Sequence, residues 1–371
     1  MKRPTTMRGT RPPEARFRDK GLARQILGRV RDRLAGAEPI RLMEVCGTHT
    51  MAIGKSGLRR AVPENLVLLS GPGCPVCVTP GGYIDAAAEL AQAGVTVVTF
   101  GDMVRVPGNT TSLERARAEG GRLVVAASTA AALDIARSGA GEVVFLGVGF
   151  ETTAPTVAAA VLAAAREGLD NFSVLVSHKL VPPALRLILD DPACAVSGFI
   201  LPGHVSAIIG TAPYQFLAAE CGVPGVVAGF ELIDVLDAVE LLAAMVRSRE
   251  PAVVNRYTRV VRPEGNPAAW AAVEQVLEVA DASWRGIGRI PSSGLALRKE
   301  YARFDAARRY GIDVSDYRVP PGCLCGHVMR GLIGPTECPL FGKTCTPEAP
   351  VGPCMVSVEG ACAVCHKYGG G

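Results

Sequence analysis

Three groups of residues in this 371-residue chain carry soft, nucleophilic or proton-transferring side chains at close spacing. Cys46-Gly-Thr-His-Thr places a thiol and an imidazole, Cys46 and His49, three residues apart. One turn of backbone would set such a pair side by side, where His accepts the thiol proton or ligates the same metal. The spacing is also that of a packed, hydrogen-bonded pair, and of a Cys–His hydrolase or transferase. Gly71-Pro-Gly-Cys-Pro-Val-Cys presents Cys74 and Cys77 as a CxxC after a Gly-Pro-Gly turn. At the start of a helix, backbone N–H groups and the dipole favour thiolate over thiol. A redox dithiol, half of a soft-metal site and an inert pair all fit that motif.

The third group is the tail. Cys323, Cys325, Cys338, Cys345, Cys354, Cys362 and Cys365 crowd seven of the twelve cysteines into the last 49 residues. Four thiolates can hold a [4Fe–4S] cluster, with the intervening Gly and Pro letting the backbone wrap it closely. A structural zinc held by four cysteines is the alternative, but zinc ribbons prefer two close CxxC pairs and the spacings here are long and uneven. From Val319 onward there is little periodicity, so the tail cannot bury enough apolar surface alone, and a metal is the simplest means of ordering it.

The remaining polar motifs are weaker. Glu151, Thr152 and Thr153 open a helical stretch, where they serve as caps at least as readily as they serve chemistry. His178 and His204 are as readily structural as functional, and Cys194 and Cys221 are expected to pack as small apolar residues. Gly147-Val-Gly-Phe lacks the full dinucleotide fingerprint, and no GxxxxGK[ST] phosphate loop occurs. Nucleotide binding has little support.

These motifs share a position. From Ile40 to Glu231 short β-branched runs alternate with Gly-containing turns and alanine-rich helical stretches, the pattern of an α/β protein. Eight strands are expected, at 40–46, 66–70, 95–100, 122–128, 142–148, 173–178, 197–203 and 225–229. Crossover helices are expected at 84–93, 129–138, 153–168, 183–190 and 232–247. The Cys46, Cys74, Asp102, Glu151, His178, His204 and Glu231 segments each follow a strand, and ligands of open parallel sheets bind beyond the carboxyl ends of the strands. The favoured architecture is two doubly wound, Rossmann-like lobes around a cleft, with a helical and Cys-rich C-terminal region. A basic arm and helix would occupy residues 1–35, the lobes 36–138 and 139–250, and the C-terminal region 251–371, with helices at 268–280 and 297–310. A closed (β/α)8 barrel is the runner-up on strand count, against which stand the irregular 106–112 stretch and unequal unit lengths.

Composition bounds the rest. Hydrophobic residues make up 49% and charged residues 20%, the balance of a packed globular protein. The longest apolar runs are too short and too alanine-rich to span a bilayer, and the basic N-terminus is not followed by a secretory apolar segment. The expected location is therefore cytoplasmic, where structural disulfides are rare and twelve cysteines point to metal or redox chemistry. Residues 1–33 hold 11 Lys+Arg against 3 Asp+Glu, so the net charge of +4 resides in that arm. It reads as a solvated tail rather than a nucleic-acid contact.

Taken together, Cys46-Gly-Thr-His-Thr, Gly71-Pro-Gly-Cys-Pro-Val-Cys, Gly149-Phe-Glu-Thr-Thr-Ala-Pro, Pro202-Gly-His, Gly229-Phe-Glu, CPLFGKTCTPEAPVGPCMVS and EGAC resemble the HypD family of [NiFe]-hydrogenase maturation proteins over about residues 36–368. The resemblance implies α/β lobes around a cleft and a scaffold on which an Fe(CN)2CO fragment is assembled with a HypC-like chaperone, cyanide being delivered by a HypE-like donor. It further implies Cys46 as thiolate ligand to the nascent iron with His49 beside it, and Cys74 and Cys77 as a redox dithiol between that site and a [4Fe–4S] cluster. The cluster ligands it suggests are Cys338, Cys345 and Cys362 with Cys325 or Cys323, Cys354 being an alternative. Cys365 stands where an aromatic residue is expected, which makes it a spare thiol. An iron–sulfur-linked CxxC disulfide reductase and a zinc-stabilised binding module are the rival readings.

Overall fold

Most of the β-branched runs form strands that lie out of water, the edge strands being more exposed, and strands covered on both faces in this way are characteristic of parallel sheets. A computed structural model describes residues 17, 19–139, 141–314 and 318–369, so most of the basic arm lies outside the described residues. The strands are β1 (Ile40–Glu44), β2 (Leu66–Ser70), β3 (Thr96–Thr99), β4 (Leu123–Val125), β5 (Val143–Gly149), β6 (Phe172–His178), β7 (Gly198–Pro202), β8 (Gly225–Ala228), β9 (Val253–Asn255), β10 (Leu277–Trp284) and β11 (Gly288–Leu297). Two parallel sheets result, ordered β2-β1-β7-β8-β9 and β4-β3-β5-β6. All eight expected strands are present, and their separation into two open sheets excludes the closed barrel.

Alanine-rich helices cover the sheets. Lys20–Leu34 and Leu232–Ser248 bury Ile26, Val30, Leu34, Leu236, Val239 and Leu242 against the first sheet. Ala154–Glu167 buries Val157 and Val161 against the second. A shared core containing Met43, Leu69, Val97, Leu146, Leu175 and Leu201 joins the two sheets. Each such aliphatic side chain taken from water contributes roughly 1.5–3 kcal/mol, so the shared core adds to the cohesion of the two lobes.

The division of the chain differs from the one expected near residues 136–142. β1 and β2 pair with β7, β8 and β9, whereas β3 to β6 form the second sheet. The first lobe is therefore built from two separated stretches of chain, and the second lobe is inserted between them. Strand pairing at this sequence separation leaves no local signature, which is why adjacency along the chain misleads here.

The region after residue 251 also departs from expectation. The helix expected over 268–280 ends at Val276, and the chain enters a β10–β11 antiparallel hairpin with Leu277 opposite Leu297 and Trp284 opposite Gly288. Gly286 and Gly288, at φ +79° and +116°, make the turn that L side chains disfavour. The helix expected over 297–310 is a 3-10 turn at Lys299–Phe304 followed by Ala306–Tyr310. The hairpin buries Leu277, Trp284, Ile290, Leu295 and Leu297, and the Trp284 indole N–H donates to Ser293 Oγ at 2.8 Å. Tertiary burial of one hairpin face outweighs the helical propensity of Leu, Glu and Ala.

Candidate thiol and metal centre

Cys46 is the N-cap of the helix Gly47–Ser56, which begins as β1 ends. Its backbone N–H donates to Glu44 Oε2 at 3.2 Å, and Glu44 Oε1 accepts from the Thr50 hydroxyl at 2.6 Å. Thr48 Oγ1 donates to Glu359 Oε1 at 2.8 Å, which ties this turn to the tail. Burial pushes the Cys46 thiol up to about 12, against the N–H groups of Thr48 and His49 that act to lower it, and burial likewise raises Glu44 to about 7. Glu44 is a single carboxylate in a run that also holds Arg41, and motif spacing does not pick it out.

His49 lies one turn beyond Cys46, but its ring is engaged elsewhere. Its Nε2 stands 2.9 Å from the Gly229 carbonyl, and the ring lies 4.7 Å from that of Phe230. His204 stacks on the same phenylalanine, with ring centres 4.0 Å apart. Burial lowers His49 to about 4, so the imidazole is neutral, and its buried Nδ1 has no partner. No hydrogen bond joins this ring to the Cys46 thiol among the described residues. The Gly229-Phe230 and Pro202-Gly203-His204 segments thus build one aromatic and imidazole wall beyond β7 and β8.

The CxxC lies against Cys46. A Cβ on Gly73 would collide with the Cys46 nitrogen, and the Gly47 N–H donates to Gly73 O at 3.0 Å, so only glycine permits this backbone contact. Cys74 caps the short helix Pro75–Val78, accepting from the Cys77 N–H at 3.3 Å, and the two sulfurs stand 2.6 Å apart. That approaches a disulfide, whose sulfurs lie about 2.05 Å apart. A helix start favours thiolate; burial instead holds Cys77 well above the ordinary thiol range.

Tail thiols continue this contact. Cys77 Sγ lies 3.8 Å from the carbonyl of Pro353, the residue before Cys354; Cys354 lies near both Cys77 and Cys325, and Cys362 near Cys325. Cys323 Sγ and Cys325 Sγ are 3.2 Å apart. Cys323 and Cys362 are raised first by their contact with Cys325 and then by burial. A Cβ on Gly352 would lie 2.5 Å from Cys325 Sγ and 2.8 Å from Cys323 Sγ, so this glycine opens a notch facing sulfur. Cys345 Sγ accepts from the Val351 N–H at 3.3 Å beside that notch, while Cys338 is half-buried with its sulfur 4.0 Å from Gly322 O. Among the described residues no three His, Cys, Asp or Glu side chains close into a metal-ligating group, and none of the twelve cysteines forms a disulfide. Donor type and the Gly352 notch nonetheless suit thiolate ligation of a soft metal, because a metal cation would replace the protons these buried thiols now retain.

The other motif residues are divided between this centre and the second sheet. Tyr214, fully buried, is raised by burial and then by the charges of Glu151 and Cys46, and the helix Pro75–Val78 beyond β2 packs against β5, where the two sheets approach each other. Glu151 Oε1 accepts from the Val181 N–H at 2.8 Å, and burial raises its carboxyl to about 7. His178, the last residue of β6, and Lys179 after it lie buried, lowered by burial to about 3 and about 7. Cys194 packs against the shared core, as expected, while Cys221 and Cys365 are half-buried on a turn and on the helix Ala361–Tyr368. Arg285, in the β10–β11 turn, is a member of the thiol region that no sequence pattern marks.

Comparison with known proteins agrees with this picture. Residues 21–369 match the family model described as "HypD: Hydrogenase formation hypA family". The chain is 44% identical over 365 residues to hydrogenase maturation factor HypD2 of Bradyrhizobium diazoefficiens, covering 95% of this chain and 96% of the relative. It is 44% identical to hydrogenase maturation factor HypD of Rhodobacter capsulatus, covering 95% and 97%, and 40% identical to a putative hydrogenase expression/formation protein of Methanocaldococcus jannaschii, covering 94% and 98%. No described helix is long and apolar enough to cross a membrane. With the thiol motifs, two parallel sheets and near-complete coverage in agreement, the chain belongs to the HypD family of hydrogenase maturation factors.

Proposed function

We propose that this protein is an iron–sulfur scaffold on which the Fe(CN)2CO fragment of [NiFe]-hydrogenase is assembled, with Cys46 as the anchor for the incoming iron. The fragment is the substrate, held in a transient complex with a HypC-like chaperone and receiving cyanide from a HypE-like donor. The observation that carries this reading is the unbroken series of thiols from Cys74 and Cys77 through Cys354 to Cys325 and Cys362, with Gly73 pressed against the backbone of Cys46. Cyanide and CO favour electron-rich, low-spin iron, for which a thiolate is a soft, donating anchor.

In this reading Cys325, Cys338, Cys345 and Cys362 hold a [4Fe–4S] cluster, with Cys323 and Cys354 as the alternative ligands. When bound, the cluster supplies single electrons. Cys74 and Cys77 store a pair of electrons as a dithiol, and the contact of Cys354 with Cys77 connects that store to the tail. His49 orients the Gly229-Phe230 wall one turn beyond Cys46 through its carbonyl contact. A free-standing disulfide reductase is the less favoured reading. Cys74 and Cys77 are only 5% and 1% exposed, which shields them from a protein disulfide.

Iron and sulfide analysis with infrared spectroscopy on anaerobically purified chain tests the proposal. Wild type should contain iron and acid-labile sulfide and, with its partners, show CN and CO stretching bands. Cys46→Ala should keep the iron–sulfur absorption and lose those bands. Stoichiometric zinc without iron overturns the cluster, and bands of wild-type strength in Cys46→Ala overturn the anchor.

A further inference from the structure

One buried side chain near the thiols is electrostatically incomplete. Arg285 is 3% exposed and sits at the tip of the β10–β11 hairpin. Its backbone N–H donates at 2.8 Å to the carbonyl of Val78, the last residue of the helix that carries Cys77. Its guanidinium donates through Nη1 to Pro107 O at 2.5 Å, while Nε and Nη2 are buried with no partner. No carboxylate forms an ion pair with it among the described residues. The groups whose charge acts on it are thiols, namely Cys325, Cys323, Cys354 and Cys77.

Its placement is built rather than incidental. Cys323, Cys325, Pro353 and Arg285 line one small cavity of about 20 Å3. A Cβ on Gly326 would collide with Gly286 O, so the residue after Arg285 and the residue after Cys325 are both glycines in backbone contact. That contact fixes the hairpin tip to the cysteine segment with no side chain between them. A buried guanidinium with two unmet N–H directions and no counter-ion is costly, and neutral thiols cannot offset its charge. The same thiols as thiolates can.

We propose that Arg285 is the fixed charge partner of the tail metal centre: it offsets the negative charge that the surrounding thiolates acquire on binding the cluster, and it raises the cluster's reduction potential. This rests on the iron–sulfur reading above. Adding an electron makes a thiolate-bound cluster more negative, so an adjacent fixed cation stabilises the reduced form more than the oxidised one. Arg suits the position because it remains charged when buried and its planar fork carries several N–H donors.

The test is a mediated redox titration of anaerobic, cluster-loaded full-length protein, followed by visible absorption and electron paramagnetic resonance. Arg285→Met keeps the apolar stem and removes the charge. Its potential should fall, shifting the oxidised-to-reduced ratio at a fixed ambient potential at least tenfold, about 59 mV for one electron. Arg285→Lys, which keeps the charge, should recover at least half of that shift. A second readout is the urea midpoint with and without cluster, where the deficit of Arg285→Met against wild type should be larger for the loaded chain. A shift below twofold, an equal shift in both variants, or the same deficit in loaded and metal-free chains overturns the proposal. Absence of iron and sulfide from wild type overturns the iron–sulfur reading itself, an outcome separate from any of these.

Discussion

At the scale of single residues, the centre is defined by a contest between a helix start and a buried environment. Cys46 stands at a helix start, where the N–H groups of Thr48 and His49 favour thiolate, yet burial prevails and holds the thiol near 12. The proton therefore stays on sulfur at neutral pH until something displaces it. At pH 8 about one Cys46 thiol in ten thousand is ionised, against roughly one in four for an unperturbed cysteine. Alkylation of Cys46 by iodoacetamide in the reduced, metal-free chain should accordingly be roughly a thousandfold slower than that of a free cysteine. Because the shift is upward, the rate should keep rising about tenfold per pH unit well past pH 9. Peptide mass spectrometry checks this, and a rate within tenfold of free cysteine at pH 8 would contradict it. The thiols and imidazoles of the centre were legible in the sequence because their types are unusual after strands. Glu44 and Arg285 were not, since each is a single charge whose meaning comes from what packs on it.

At the scale of elements, glycine-bearing loops decide how close the sulfurs come. Gly73 lets the CxxC turn rest on the Cys46 backbone, and Gly352 leaves the notch that Cys323 and Cys325 face. In Gly352→Ala the new Cβ would meet two sulfur atoms at 2.5 and 2.8 Å, well inside van der Waals contact. Overpacking of this kind costs about 1–3 kcal/mol and displaces the atoms it strikes. The variant should keep its far-ultraviolet circular dichroism but bind less than half the wild-type iron. Full iron content would mean that the notch is not part of the ligand shell. The parallel strands and their crossover helices were readable because buried β-branched runs and alanine-rich stretches each carry their own periodicity. The β10–β11 hairpin was not, because Leu277–Trp284 alternates weakly and continues a helical stretch, and only the burial of Trp284 and its partners selects the strand. The hairpin matters to the centre because its tip carries Arg285.

At the scale of the whole molecule, insertion of one sheet into the other sets how the protein can come apart. β1 lies between β2 and β7, and β3 lies between β4 and β5, so both sheets join strands from the two sides of residue 138. A fragment of residues 1–138 would hold β1 to β4 with β1 and β3 each lacking one neighbour, and the shared core would lose Leu146, Leu175 and Leu201. Open parallel edges and uncovered apolar faces of that kind do not support a stable domain. The fragment should unfold without a cooperative urea transition and aggregate, whereas the intact chain should lose both lobes together, because the core that joins the sheets is continuous with the core of each. Cooperative unfolding of the 1–138 fragment would show that the sheets do not depend on this interleaving. The arrangement also has a functional consequence. The helix Pro75–Val78 beyond β2 packs against β5, so the two sheets approach each other at the CxxC, and motion of one lobe relative to the other would alter the surroundings of Cys74 and Cys77.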